Sequence, residues 1–153
     1  MFREFRSYPD EPVIILDGLI KAAKGGDWDF VNQGIPKICN EPQFVEWAAS
    51  YAINHEDLNL RLFGVNFIEK SECNLNQEQI KSLKSLMKKD NYSHVRHGAG
   101  FALFKHNVCS RDVIQAIKGA AKNSETREKA QGFLGEFRNR PRKFFIFGRD
   151  AGN

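Results

Sequence analysis

Residues 60–68 read LRLFGVNFI, and the same pattern returns twice further along the chain. Residues 95–103 read VRHGAGFAL and residues 126–134 read TREKAQGFL, so the copies start about 30 to 35 residues apart. In each copy an arginine is followed three positions later by a small residue, and six and seven positions later by an apolar pair. A period of this length predicts stacked helical repeats.

A second amphipathic segment lies between consecutive copies, with Leu83 central in the first and Ile114 in the second. Together, the arginine column, the small residue, the apolar pair and the intervening helix resemble the pattern of HEAT-repeat proteins over about residues 56–138. This resemblance implies an all-α fold, a short right-handed α-solenoid of stacked antiparallel helix pairs with about eight helices. Residues 10–54 lack the arginine column, although helix pairs are plausible there.

The arginine column consists of Arg61, Arg96 and Arg127. Each lies near the start of the first helix of its repeat. We expect these side chains to bond carbonyls or acids of an adjacent repeat, with ligand contact as the alternative.

Helical periodicity continues through most of the chain after residue 10. Asp10 and Pro12 predict a first helix start, and Gly25-Gly26 predict its end; a second segment is expected to close at Gly34 and Pro36. The remaining segments are expected at about residues 42–53, 56–69, 77–89, 93–105, after a Ser110 cap, and at 125–138 after a Ser124 cap. The expected organisation is an N-terminal arm at 1–9, a single helical domain at 10–138 and a basic, aromatic tail at 139–153.

Composition is that of a globular chain: 153 residues, 41% hydrophobic and 27% charged. No apolar run reaches the roughly 18 residues of a membrane span, and the first residues have no apolar core of a signal peptide. The three cysteines form no CxxC pair. We therefore expect free thiols, a cytoplasmic location and no membrane contact.

Charge is distributed unevenly along the chain. Residues 1–75 hold 7 Lys/Arg and 12 Asp/Glu, a net charge of −5, whereas residues 76–149 hold 16 Lys/Arg and 6 Asp/Glu, a net charge of +10. By resemblance, the second helices line the concave side of the stack. The expected basic face comprises Lys81, Lys84, Lys88, Arg111, Lys118 and Lys122, and the tail adds Arg138, Arg140, Arg142 and Lys143.

A basic surface favours an anionic partner. We expect an acidic protein surface, bound by a non-enzymatic module of adaptor, chaperone or inhibitor type; nucleic acid is the alternative, because cations beside aromatic rings also suit phosphates and bases. The aromatic rings of Phe144, Phe145 and Phe147 follow the tail cations and are expected to cover the last repeat. The oligomeric state stays open.

Signatures of catalysis and metal binding are weak. The chain has no GxSxG, P-loop or HExxH motif. The pairs His94/His97 and His106/Cys109 have chelating spacing, but a helix would hold His97 and His106 about 13 Å apart. We therefore expect neither metal nor cofactor. A third alternative follows from the HEAT-like alkylpurine DNA glycosylases, in which aromatic residues and a carboxylate act on DNA; its candidate residues here would be Asp27, Trp28, Asp29 and Trp47.

Overall fold

A computed structural model describes residues 11–140 of the chain. Over this range the protein forms eight α-helices and one short 3₁₀ turn, and no strand occurs within it. The helices are α1 (Glu11–Lys24), α2 (Trp28–Ile38), α3 (Pro42–Ser50), α4 (Leu58–Lys70), α5 (Gln77–Lys89), α6 (Ser93–Lys105), α7 (Arg111–Ala120) and α8 (Arg127–Arg138), with the 3₁₀ turn at Ala52–Asn54. The prediction of an all-α fold with about eight helices is confirmed.

Local chemistry sets several helix ends as the sequence indicates. Gly26 has a φ of +82°, which lets the chain turn at the end of α1. Two backbone hydrogen bonds close this end of the helix, and one of them runs from the Asp27 N–H to the Ala22 carbonyl at 2.9 Å. The Asp27 carboxylate then accepts the Phe30 N–H and begins α2. Two adjacent helices are thereby separated by only three residues.

Two predicted boundaries are wrong. Helix α2 continues through Gly34 and Pro36 to Ile38. Gly34 is a packing residue, because a β-carbon there would overlap the side chain of Leu19 in α1. Pro36 is exposed, as is Asn32, so water can satisfy the Asn32 carbonyl that loses its helical partner.

Helix α8 begins at Arg127 and not at residue 125, with Thr126 rather than Ser124 at its N-cap. The preceding residues form a turn of their own. Asn123 Oδ1 accepts the Glu125 N–H at 2.9 Å, and the Thr126 hydroxyl donates to the Ala120 carbonyl at 2.7 Å. Side chains that satisfy a turn in this way delay the helix start.

The described part of the chain divides into two compact units, with the boundary between Cys73 and Asn74. In the N-terminal unit, α4 is the central helix and contacts α1, α2, α3 and the 3₁₀ turn, while α1 also packs on α2. The α4 side chains Phe63, Val65, Phe67 and Ile68 are fully buried. Burial of this helix on several sides supplies the core of the unit.

In the C-terminal unit α6 is the central helix, and it contacts α5, α7 and α8, while α7 also contacts α8. Residues 98–104 of α6 are all buried. Within this unit consecutive helices pack on each other, and the first helices of two successive repeats, α6 and α8, touch directly. This packing is that of a helical solenoid.

The expected arm at 1–9 and the tail from residue 141 onward lie outside the described residues, as do Phe144, Phe145 and Phe147. None of the helices within residues 11–140 has the length and hydropathy that a membrane span requires.

Candidate protein-binding surface

The three arginines of the repeat column make the same contact. Arg61 Nη1 donates to the His55 carbonyl at 3.0 Å, Arg96 Nη1 to the Asp90 carbonyl at 2.8 Å, and Arg127 Nε to the Ala121 carbonyl at 3.2 Å. Each acceptor lies six residues before its arginine.

Each of these acceptors is also the C-cap residue of the preceding element: His55 of the 3₁₀ turn, Asp90 of α5 and Ala121 of α7. The last carbonyls of a helix have no partner within that helix. The arginine supplies one and, by its charge, also suits the negative end of the helix dipole. The three arginines therefore join α4, α6 and α8 to the C-terminal end of the element that precedes each of them.

Two lysines of the predicted basic face, Lys84 and Lys88, contact a carboxylate that the sequence did not single out. Asp112, in the first turn of α7, lies 3.9 Å from the Lys84 ammonium and 3.3 Å from the Lys88 ammonium. Lys84 and Lys88 belong to α5, so the ion pairs join the two helices that carry the predicted basic stripe. No local signal could identify Asp112, because its partners are more than 20 residues away in sequence.

Asp112 is also fixed within its own helix. The Ser110 hydroxyl donates to its carboxylate, and the Val113 N–H donates to it at 3.0 Å. Burial acts to raise the pKa of the Asp112 carboxyl, but the Ser110 hydrogen bond and the two lysines outweigh burial and hold the pKa below its ordinary value of 3.8. The carboxylate is therefore charged at neutral pH, and the ion pairs weaken only as the pH falls below that value.

The six cations of the predicted basic face differ in how much of their side chains is exposed. The side chain of Lys88 is 57% exposed despite its ion pair, whereas that of Lys84 is 24% exposed. The other members of the predicted face are exposed: Lys81, Arg111, Lys118 and Lys122. An open depression of about 610 Å³ runs along α5 between Gln77 and Lys89. Its lining includes Ile80, so an apolar surface accompanies the lysines there.

The tail cations that the structure describes are unlike each other. Arg138 is exposed, but the Arg140 side chain lies 4.3 Å above the Phe104 ring and donates to Cys109 Sγ at 2.7 Å. Only 12% of the Arg140 side chain is exposed. Arg140 therefore helps to close the core of the C-terminal unit, and its predicted role in partner binding would require it to leave these contacts. Arg142 and Lys143 lie outside the described residues.

The histidines do not assemble a metal site in the described part of the chain. His94 Nε2 lies 2.6 Å from Glu125 Oε2, whereas His97 has a buried Nδ1 without a hydrogen-bond partner among residues 11–140. Burial, with Arg96 and His94 adding to it, lowers the pKa of His97. Within residues 11–140 no three His, Cys, Asp or Glu side chains come together closely enough to hold a metal ion.

The candidates for a glycosylase-like site belong to the N-terminal unit. Asp27 is occupied as the N-cap of α2, and Asp29 is an exposed residue of its first turn. Trp47 packs edge-on against Phe63, with ring centroids 6.1 Å apart. These contacts are structural, and they supply Asp27 and Trp47 with roles that need no substrate.

The three thiols have different surroundings, which predicts different reactivities. Cys39 and Cys109 are buried, and burial raises the pKa of both thiols, although Arg140 acts in the opposite direction on Cys109. Cys73 is only half-buried. Because the thiolate is the reactive form, we expect Ellman's reagent to modify Cys73 rapidly at pH 8 and the other two slowly.

The substitution Cys73→Ser should remove the rapid phase, and denaturant should bring all remaining thiols to one rate. Stopped-flow absorbance measures both. Three equal rates in the native protein would contradict the described burial.

No family model, no curated protein and no solved structure matches the chain.

Proposed function

We propose that the chain is a non-enzymatic, HEAT-type protein-binding module, of adaptor, chaperone or inhibitor kind, whose basic face binds an acidic protein surface. The observation that supports it most is the pair of ion contacts between Asp112 and the lysines Lys84 and Lys88. These contacts bring two α5 lysines beside the first turn of α7, where Arg111 is exposed. In the proposed surface the exposed side chains of Lys81, Lys118 and Lys122 add further positive charge.

The HEAT assignment is supported by the arginine column. The same side chain at the same position of three repeats donates to the same type of acceptor, the C-cap carbonyl of the element before it. The packing of α6 on α5, α7 and α8 is the neighbour packing that stacked repeats require. The three free thiols suit a reducing compartment, so we place the protein in the cytoplasm.

An acidic protein fits the basic face better than a nucleic acid does. Base stacking would need exposed rings beside the cations, but Phe101 and Phe104 of the C-terminal unit are buried. Tyr92 is 50% exposed but is the N-cap of α6, outside the helices that carry the predicted cations. Phosphate neutralisation would remain as the main source of affinity. The apolar surface at Ile80, in the same depression as the lysines of α5, is better used by a protein side chain.

The test is fluorescence polarisation with a labelled oligoglutamate peptide and, separately, labelled single-stranded DNA and RNA. We expect the peptide to bind and its affinity to fall with salt. The triple substitution Lys81→Glu, Lys84→Glu and Lys88→Glu should weaken binding roughly a hundredfold, because three surface pairs at about 1 kcal/mol each amount to about two factors of ten. Asp112→Asn should act in the opposite direction, since it releases two lysines.

The matched control reverses Lys21, Lys24 and Lys37, three exposed lysines of the N-terminal unit, and changes the net charge by the same amount. Equal losses in the two triple variants would sink the proposal, since net charge alone would explain them. Preferential binding of DNA or RNA, lost in the first triple variant, would favour the nucleic-acid alternative. Circular dichroism checks the fold, and a Lys→Gln version of the first triple avoids repulsion at Asp112.

A further inference from the structure

A ladder of three aromatic rings runs along the end of α3 and past the 3₁₀ turn: Trp47, Tyr51 and His55, each four residues after the last. The ring centroids of Trp47 and Tyr51 lie 5.9 Å apart, and those of Tyr51 and His55 lie 5.4 Å apart. Tyr51 is 54% exposed, although large aromatic side chains usually bury most of their surface. The packing of α3 does not bury the Tyr51 ring, so the ring is accessible to a partner.

The ladder lies in an acidic stretch of the chain. Residues 38–60 contain Glu41, Glu46, Glu56 and Asp57 but no lysine or arginine. The first cation after this stretch, Arg61, directs its guanidinium to the carbonyls of His55 and Glu56, each at 3.0 Å. Along the chain Glu46 adjoins Trp47 and Glu56 adjoins His55, so each end of the ladder has a carboxylate as its sequence neighbour.

The His55 ring is held by the backbone that follows it. The Asp57 N–H donates to His55 Nδ1 at 2.9 Å. The opposite end of the ladder is anchored, because Trp47 packs against the buried Phe63. Tyr51 is therefore an exposed ring held between two neighbours whose positions are set by other contacts.

We propose that this acidic aromatic surface, formed by Trp47, Tyr51 and His55, binds a cationic segment of a partner protein, with an arginine side chain stacked on Tyr51. The negative face of an aromatic ring attracts a guanidinium, and arginine also stacks through its planar group. The carboxylates next to the ladder in sequence, Glu46 and Glu56, add a long-range attraction for such a segment and repel a polyanion. The surface lies in the N-terminal unit and involves none of the cations assigned to the basic face, so it does not depend on that function.

The experiment is an NMR titration of the full chain with a tetra-arginine peptide, and with the matched citrulline peptide, which has the same shape but no charge. We expect the arginine peptide to shift the indole N–H signal of Trp47 and leave that of Trp28 unchanged; Trp28→Phe assigns the two signals. Tyr51→Ala should weaken binding about two- to fivefold, the range typical of an exposed cation–π contact. Tyr51→Phe should retain it, and Glu46→Gln with Glu56→Gln should reduce its salt dependence.

Phe30→Ala is the matched control, because Phe30 is 52% exposed and lies in the same unit; it should leave binding unchanged. Equal binding of the citrulline peptide, or no shift at Trp47, would overturn the proposal. Tyr51-dependent self-association in sedimentation, without peptide binding, would also overturn it, since the occupant would be a second copy of the chain. The Trp47 shift in the unmodified protein decides the matter even if Tyr51→Ala fails to fold.

Discussion

Replacing Phe104 by alanine is expected to lower the free energy of unfolding by about 3–5 kcal/mol, as is usual for a buried phenylalanine. Phe104 is fully buried in α6, and its ring stacks on Phe133 with centroids 5.2 Å apart. Phe137 packs edge-on against the same ring, and the Arg140 guanidinium covers it. Truncation therefore leaves a cavity and also removes the aromatic ring on which the Arg140 guanidinium packs.

Urea unfolding followed by circular dichroism measures this loss. Phe30→Ala is the control and should change the stability by much less, because half of that side chain is already in water. Modification of Cys109 should also become faster in Phe104→Ala, since Arg140 covers both the ring and the thiol. A loss below 1 kcal/mol would show that α6 is not the core of its unit.

Gly64→Val is expected to cost about 3 kcal/mol, the upper part of the range for overpacking. A β-carbon at Gly64 in α4 would lie 2.9 Å from Ile53 Cγ2, 3.0 Å from Ala52 Cβ and 3.2 Å from the backbone nitrogen of Ile53. Because one of these neighbours is backbone, the clash is not relieved by rotation of a side chain.

The matched control is Gly18→Ala. Gly18 lies in a helix of the same unit, and a β-carbon there would meet nothing within 4 Å. It should raise the stability by roughly 0.5–1 kcal/mol, the difference in helix propensity between the two residues. Thermal unfolding compares both variants with the parent, and opposite signs are expected. If Gly64→Val were neutral, the close approach of α4 to the 3₁₀ turn would be refuted.

Helix content was accessible from the sequence because its signals are local. The capping box of Asn76 and Gln79 at the start of α5 and the glycine end of α1 each depend on residues within a single turn. The same holds for the small residues of the repeat: Gly64, Ala99 and Ala130 are all buried, as their position before an apolar pair indicates. Local sequence patterns are enough to predict these features, because the residues that cause them lie within a few positions of each other.

Features that depend on tertiary contact escaped this reasoning. The local sequence predicts a helix end at Gly34, although the absence of a side chain there makes room for Leu19 of α1. Asp112 offsets part of the positive charge of Lys84 and Lys88, but only folding brings it to them. Arg140 lies in a basic stretch of sequence that is typical of a binding tail, but packing places its side chain over Phe104. The four-residue spacing of Trp47, Tyr51 and His55, by contrast, is a local feature of the sequence.

Each repeat arginine finds its acceptor only six residues earlier in the same stretch of chain. A duplicated or deleted segment that includes both groups would bring its own fastening with it. Whole segments of this kind can therefore be gained or lost without a change in the hydrogen bonds that join neighbouring helices. The packing of the apolar side chains between segments would then limit how many segments the chain can contain.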